Sequence, residues 1–310
     1  MPAPDARSVP TRVAVVVVTY DAAQHVGSCL DALAATAWGP LEWRVVVVDN
    51  GSTDGTLAIA RDRPRVEVLA QQRNLGFAEG SNVGMRAALA WGADVVALVN
   101  DDAEVDPGWI APLLDELTDA TVGAVQPKLL VHGSHPPVVN SLGVWLDREG
   151  SGRDIGFGEL DEASPVQPRS IELFTGGAVA LRRELLDDVG LFDPLLFLYY
   201  EDVDLALRGA RRGWRYRCAP ASVVRHRVGA STAKAPARRA FYQERNRLLV
   251  VARHGSWATY ARALWLAVRR VRFAPRRAHL AAVASGLLLA PRQLGLRWRD
   301  RRRARACAAS

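Results

Sequence analysis

Four stretches of this 310-residue sequence bring together side chains that could act on a charged substrate. Asn100-Asp101-Asp102 directly follows the run Asp94–Val99. Paired carboxylates at a strand end suit a hard cation such as Mg²⁺ or Mn²⁺, which takes anionic oxygens and keeps water or substrate phosphate as further ligands. The plainer alternative is a solvated turn leading into a helix. Tyr199-Tyr200-Glu201-Asp202-Val203-Asp204 sets three acids within four residues at an expected helix start. Capping explains any one of them. The flanking aromatic rings would limit water and raise a carboxylate pKa, as a general base requires. His226 sits between Arg225 and Arg227. Their charge disfavours the imidazolium and favours a neutral imidazole able to ligate a metal, although a lone histidine can equally be structural. In Gln72–Gly84, small residues at a helix start let backbone N–H groups approach an anion, and Arg73 adds a guanidinium fork for phosphate. The alternative there is tight helix–sheet packing at Gly80 and Gly84.

The elements that position these residues are legible from pattern. Val13–Thr19, Arg44–Asp49, Val66–Ala70 and Asp94–Val99 are runs rich in β-branched residues, the signature of strands buried on both faces. Helix-like segments at Ala22–Ala35, Thr53–Arg63 and Ala78–Trp91 separate them. Such alternation predicts βαβ units, a mostly parallel central sheet and ligands beyond the carboxyl ends of the strands. Those ends are Thr19-Tyr20-Asp21, Asp49-Asn50-Gly51, Gln72-Arg73-Asn74 and Asn100-Asp101-Asp102. All are polar, and their carboxylates predict one site at that edge. Further on, a helix is expected over Pro107–Leu117, loops and short antiparallel strands over His132–Pro168, and helices near Glu184–Val189 and Val203–Arg212.

Several function classes are excluded. No G-x-G-x-x-G follows the first strand and no G-x-x-x-x-G-K-[ST] occurs, which argues against a dinucleotide oxidoreductase and a P-loop NTPase. Cys29, Cys218 and Cys307 form no C-x-x-C pair, so neither a disulfide framework nor a zinc ribbon is expected, and a reducing cytoplasmic setting fits. The nearest approach to a spanning apolar stretch, Leu280–Ala290, is 11 residues long and too short to span a bilayer.

Taken together and in order, these motifs resemble glycosyltransferase family 2 of the GT-A fold. Val17–Tyr20 resembles its opening strand, Val48–Thr56 its V-D-N-G-S-T-D-G-T signature, and Arg73–Asn82 its second nucleotide-contacting stretch. Asn100-Asp101-Asp102 stands where the D-x-D-type motif belongs, and Thr175-Gly176-Gly177-Ala178 and Glu201–Leu205 match acceptor-side motifs. The similarity spans residues 12–255 and leans toward a bacterial rhamnosyltransferase-like and galactofuranosyltransferase-like branch. That branch shares an acid-acid-x-Asp element followed, some two dozen residues later, by a histidine, here Asp202 and His226. The resemblance implies an inverting, metal-dependent sugar transfer from a dTDP- or UDP-sugar, with L-rhamnose from dTDP-rhamnose as the expected donor. Asp202 would be the catalytic base, with Glu201 as the runner-up. Thr19, Tyr20, Asp49, Asn50, Arg73, Asn74, Gly76, Asn82, Asn100 and Asp101 would hold the nucleotide-sugar, Asp49 through a pyrimidine N3–H. Asp102 and His226 would hold Mg²⁺ or Mn²⁺, and Gly176, Gly177 and Tyr200 would meet the acceptor. Because position 100 is Asn rather than Asp, the metal would rely on Asp102 and His226, and Asp101 would lie near the ribose or sugar.

Charge is divided unevenly. From Arg225 onward there are 21 Lys+Arg against 2 Asp+Glu, so the overall net charge of +7 combines a −12 body with a +19 tail. Phe241–Trp298 interleaves Arg with Trp and Leu, the composition of amphipathic helices in an anionic membrane interface. A solvated helical face with a disordered end at Arg301–Arg305 is the alternative, and no nucleic-acid recognition motif accompanies the charge. The expected organisation is a flexible segment 1–11, a catalytic domain 12–235 divided at 105/106, and a basic membrane-associating extension 236–310. A polyprenyl-diphosphate-linked or other cell-envelope glycan acceptor and a peripheral position on the inner membrane face would follow. Two other classes stand beside this one. A sugar-nucleotide pyrophosphorylase would need a basic Gly-rich loop after the first strand, where Thr19–Gly27 offers only His25. A non-catalytic nucleotide-binding membrane scaffold would not need Asp102, Asp202 and His226 together. Sequence does not set the oligomeric state.

Overall fold

Valine dominates Val13–Val18, and β-branched side chains favour an extended backbone that packs on both faces. In the computed structural model, which describes residues 10–228, 235–273 and 275–308 (of 301–308 the backbone only), this run forms β1 (Arg12–Thr19). There follow α1 (Val26–Ala34), β2 (Glu42–Asp49), α2 (Thr56–Arg61), β3 (Val66–Ala70), α3 (Gly76–Trp91) and β4 (Val95–Val99). Next come β5 (Ala103–Val105), α4 (Ile110–Glu116), β6 (Val122–Val131), β7 (Val139–Ser141), β8 (Val144–Leu146), β9 (Gly152–Asp154) and β10 (Arg169–Ile171). The chain continues through β11 (Ala178–Arg182), α5 (Arg183–Val189), α6 (Glu201–Ala210), β12 (Arg215–His226), α7 (Pro236–His254), α8 (Trp257–Arg270) and α9 (Arg276–Ala308).

The main sheet runs β3-β2-β1-β4-β11-β6-β12-β10. Its first four strands are parallel, as the alternation predicts, and β11 then enters antiparallel to both β4 and β6. Side chains alternate across β1. Val13, Val15 and Val17 join Leu30 and Leu33 of α1 and Leu113 of α4 on one face, while Ala14 and Val16 meet Met85 and Ala88 of α3 on the other. Gly80 and Gly84 bring α3 against β1: a Cβ at Gly80 would meet Val18 Cγ1 at 2.8 Å, and one at Gly84 would overlap Val16. Packing therefore accounts for both glycines.

Two expectations are corrected. The helix read from Pro107 begins at Ile110, because Pro107 sits in a preceding turn closed by the Trp109 amide on the Asp106 carbonyl at 3.0 Å. The division after residue 235 is not a boundary in the packing. Leu249 and Val250 of α7 share the apolar cluster of Val16, Val48, Phe174 and Leu205. Asp204 of α6 is buried in a cluster with Arg208 at 2.8 Å, Arg253 at 3.0 Å and His254 at 2.7 Å. Removing one partner of such a buried pair costs about 3–5 kcal/mol. Part of the basic tail is thus interior structure. Of the N-terminal segment, residues 1–9 lie outside the described residues, and α9 continues as helix through 301–308. Among the described residues no helix is long and apolar enough to cross a membrane.

Candidate active site

Strand register assembles the site. Thr19 pairs with Asp49 and Asp49 with Ala70, so the ends of β1, β2 and β3 lie level. Ala178 pairs with Val99, which brings Gly177 to Asn100, whose amide donates to the Gly177 carbonyl at 3.0 Å. His226, 124 residues beyond Asp102, reaches it because β12 pairs with β5, His226 opposite Ala103. A cavity of about 420 Å³ opens at these ends. It is lined by Thr19, Tyr20, Asn50, Asn74 and Gly76, and by Asn100, Asp101, Asp102 and His226. A second cavity of about 420 Å³ is lined by Gly176, Gly177, Tyr200, Glu201 and Asp202. The two share Phe77, Asn100, Leu198, Tyr199 and His226, so they meet beside the imidazole.

The meeting point has the donor set of a cation site. His226 Nδ1 faces Asn140 Oδ1 at 2.9 Å. An amide oxygen only accepts, so the imidazole proton belongs on Nδ1, and the Nε2 lone pair, which accepts from Asn100 Nδ2 at 3.3 Å, also faces Asp102 Oδ1 at 3.1 Å. Asp102 Oδ1 is buried without a hydrogen-bond donor. Two acceptor atoms at this spacing can serve as ligands of one cation. Among the described residues no group of three or more His, Cys, Asp or Glu surrounds a metal position, so a bound ion would complete its shell from substrate oxygens and water. Asp101 is pushed up to about 7 by burial and then by the Asp102 charge, against the opposing Thr19 hydroxyl and Tyr20 amide.

On the acceptor side, Asp202 lies in the first turn of α6, with its Oδ2 accepting from the Gly176 amide and its Oδ1 from the Val203 amide, both at 2.7 Å. Burial nonetheless pushes it up to about 6. Glu201 is raised further, by deeper burial and then by Asp202, and its Oε2 has no partner. Asp202 is therefore the carboxylate that ionises near neutrality with a fixed orientation. The preceding loop is held in an unusual conformation: Phe197, Tyr199 and Tyr200 all have φ between 62° and 71°. Bulky side chains avoid that region unless surroundings impose it. Here Asn246 of α7 imposes it, donating Nδ2 to the carbonyls of Leu196 at 2.6 Å and of Leu198 and Tyr199 at 2.8 Å. Arg245 adds Nη2 to the Leu195 carbonyl at 2.7 Å.

Not every expected residue reaches a cavity. Asn82 is engaged with the Phe192 backbone, accepting its amide at 2.9 Å and donating to its carbonyl at 3.0 Å, so its amide ties α3 to a distant loop rather than holding a nucleotide. Arg73 is exposed outside both linings. Asp49 lies behind the wall, with Oδ2 accepting from Ser52 N at 3.2 Å and Oδ1 buried without a partner. The N–H groups at the start of α3 do not form an open anion cradle: Gly76 N donates to Asn74 Oδ1 at 2.8 Å and Ala78 N to the Phe197 carbonyl at 3.1 Å. Gly76, at φ 79°, leaves no room for a Cβ beside that same carbonyl. Tyr200 uses its hydroxyl internally, donating to the Gly150 carbonyl at 3.3 Å and accepting from Gly152 N at 3.1 Å. Arg238 and Arg239 at the start of α7 line the first cavity, and Asp154 and Arg270 the second. Sequence reading missed these and Asn140, since no local spacing connects them; a polar Asn246 inside a helix was the single available signal.

The chain is similar to known proteins in sequence and in fold. Residues 14–190 match the family model described as glycosyl transferase family 2. An N-acetylglucosaminyl-diphospho-decaprenol L-rhamnosyltransferase of Mycobacterium tuberculosis is 31% identical over 264 residues, covering 78% of this chain and 85% of its own. A dTDP-rhamnosyl transferase of Shigella flexneri is 24% identical over 218 residues, 67% of this chain and 70% of its own. Among solved structures, a Pyrobaculum calidifontis mannosyltransferase in complex with GDP-Man and Mn²⁺ aligns with a TM-score of 0.56 at 21% identity, covering 96% of this chain and 87% of that one.

Proposed function

The chain belongs to glycosyl transferase family 2, a glycosyltransferase of GT-A fold, and on that premise we propose that it transfers a sugar with inversion from a nucleoside-diphosphate donor in the first cavity to a lipid-linked acceptor in the second. The observation that carries this reading is the placement of Asp202, which lines one cavity while the Asp102–His226 pair lines the other, the two joined at His226. L-Rhamnose from a dTDP donor is the preferred substrate, on the strength of the relatives' activities, and a diphosphate-linked sugar the preferred acceptor.

The chemistry divides among named groups. Asp102 and His226 would hold a divalent cation, Mg²⁺ or Mn²⁺, and such an ion supplies neutralisation of the leaving diphosphate. Arg238 and Arg239 add charge on the same wall. Asp101, ionising near neutrality, would accept from a ribose or sugar hydroxyl, while Thr19, Asn50 and Asn74 shape the nucleotide end. Asp202 removes the acceptor hydroxyl proton as that oxygen attacks the anomeric carbon. The bond to the diphosphate oxygen breaks on the opposite face, and the stereocentre inverts. The fixed amides of Gly176 and Val203 orient the Asp202 lone pairs, and Glu201, protonated beside it, limits charge repulsion.

The exposed face of α8 supports the acceptor reading. Trp265, Val268 and Phe273 on and just after α8 are 57, 70 and 90% exposed, next to Arg262, Arg269 and Arg272. Apolar side chains among cations suit the inner face of an anionic membrane, where a lipid-linked acceptor resides. The deciding experiment is a donor panel: dTDP- and UDP-sugars, each with Mg²⁺ or Mn²⁺ and a short-chain lipid diphosphate sugar. Transfer from dTDP-rhamnose with inverted product stereochemistry is expected; retention, or no transfer from any donor, overturns the reading.

A further inference from the structure

The second cavity carries two guanidinium groups for which the transfer step has no use. Arg270, in the last turn of α8, and Arg153, on β9, line it together with Asp202. The Arg270 head is fixed from two sides, Nη1 donating to Glu244 Oε2 at 3.0 Å and Nη2 to Ser151 Oγ at 3.2 Å. Glu244 does not cancel its charge, because the other Glu244 oxygen pairs with Arg247. One buried carboxylate thus faces two cations. Arg153 reaches Asp147 at 3.5 Å, with 58% of its side chain exposed. Beside the carboxyl groups of Asp154, Glu201 and Asp202, which would accept from saccharide hydroxyls, the cavity holds this pair of guanidinium groups. It suits a ligand that brings its own anion, and the planar fork of arginine matches phosphate oxygens two at a time.

We propose that Arg270, assisted by Arg153, forms the subsite that binds the phosphate of the acceptor, so that the cavity holding the base also selects a phosphate-linked sugar over a free one. The proposal rests on the acceptor reading above and adds the side chains that recognise it. Because the Ser151 and Glu244 contacts hold the guanidinium before any ligand arrives, little side-chain ordering remains to be done on binding. A charge-assisted contact of this type corresponds to about 10- to 100-fold in affinity.

Equilibrium binding decides it, measured by calorimetry on the full chain with Mn²⁺ and saturating dTDP, so that the first cavity is filled. The probes are a hexose joined to a short isoprenyl chain through diphosphate, the same hexose joined by a simple ether, and the corresponding uronate on that ether. The wild type is expected to bind the diphosphate about tenfold or more tightly over both others. Arg270→Ala should remove most of that preference, Arg270→Lys should recover part of it by keeping charge without the fork, and Arg153→Ala should cost less. An unchanged dTDP affinity and thermal midpoint show that each variant is folded. A wild type without preference, a preference that survives in Arg270→Ala, or a uronate that binds as tightly as the diphosphate overturns the proposal. Since no transfer is measured, loss of transfer counts against the function and not against this subsite.

Discussion

His226 donates its Nδ1 proton to Asn140 Oδ1 at 2.9 Å and thereby turns an Nε2 lone pair toward Asp102 Oδ1, 3.1 Å away. The residue that selects the tautomer comes from β7, 86 positions before the histidine in sequence. Partners of this kind fix ring orientation, and losing one costs about 10- to 100-fold in metal affinity. Asn140→Leu should therefore weaken Mn²⁺ binding by about that factor, while Asn140→Asp, which still accepts from Nδ1, should retain it. Titration of Mn²⁺ followed by electron paramagnetic resonance tests this; equal affinity in Asn140→Leu and wild type would sink it.

Asp202 gives a pH prediction with a definite sign. Its carboxyl is pushed up to about 6 by burial, and only the ionised form can take a proton. At saturating donor, kcat/KM for the acceptor should rise with pH through about 6 and level off above it. Asp202→Asn should lower transfer by about 10²- to 10⁴-fold, the usual share of a general base. Stability follows the same ionisation. The native state holds this proton more tightly than the unfolded chain does, so the contribution of Asp202 to stability falls as pH rises from the ordinary carboxylate value through about 6. The thermal midpoint of Asp202→Asn relative to wild type should accordingly become more favourable between pH 4 and pH 8. A flat difference across that range would show that Asp202 does not carry the raised pKa.

The contrast between Asp202 and Asn140 marks what sequence conveys. The four valine-rich strands and their polar ends are local patterns, so the parallel half of the sheet and the line of Thr19, Asn50, Asn100, Asp101 and Asp102 can be read directly. Asn82 reads as a nucleotide contact because its motif is right, but the direction of its amide is set by Phe192, 110 positions away. The basic tail misleads for a similar reason. Charge counting treats Arg245, Arg247 and Arg253 alike as surface, whereas each is less than a tenth exposed and bonded to a carbonyl or carboxylate of the catalytic body. Pairing is a property of the fold, and composition does not reveal it.

Asn246 should matter to catalysis without touching substrate. Its Nδ2 lies within 2.6–2.8 Å of three carbonyls in the loop that carries Phe197, Tyr199 and Tyr200 at positive φ and leads into Glu201 and Asp202. Asn246→Ala removes this donor from the Leu198 and Tyr199 carbonyls, while the Leu196 carbonyl keeps Arg245 Nη2 at 3.1 Å, and the loss costs about 1–3 kcal/mol. Relaxation of the loop would displace Asp202, so kcat should fall by more than the donor KM rises, and Asn246→Gln should recover less stability than Asn246→His recovers if donor position alone matters. Steady-state kinetics beside thermal unfolding separates the two effects. A variant that loses stability but keeps kcat would reduce Asn246 to a structural residue.

Arg239 should report on the diphosphate. It lines the first cavity with Asp102 and His226, while its neighbour Arg238 stacks over Phe197 at 5.1 Å. Arg239→Ala should raise the donor KM by about tenfold, with an effect on dTDP much larger than on thymidine, because only the former carries the phosphates an arginine recognises. Competition by dTDP and thymidine against the donor measures the difference. Equal losses for both ligands would place Arg239 away from the diphosphate.

The last expectation concerns the outer face of α8. Arg262, Arg269 and Arg272 lie among exposed Trp265, Val268 and Phe273, and Arg269 stacks over the Trp265 ring at 4.5 Å. Each basic residue near an anionic surface contributes about 1 kcal/mol, and that attraction is screened as salt rises from about 0.1 M to about 0.5 M. Apolar insertion is not screened, so a two-part interface predicts partial release by salt. Full release then requires Trp265→Ser and Phe273→Ser as well. Neither position lines either of the two cavities described, so turnover of a soluble short-chain acceptor should be kept by the double variant while activity on vesicle-borne acceptor falls. Cosedimentation with phosphatidylglycerol vesicles, repeated with neutral vesicles and with competing DNA, distinguishes a membrane from a general polyanion. Binding that DNA abolishes, or that ignores both aromatic substitutions, would assign the charge of this helix to another partner.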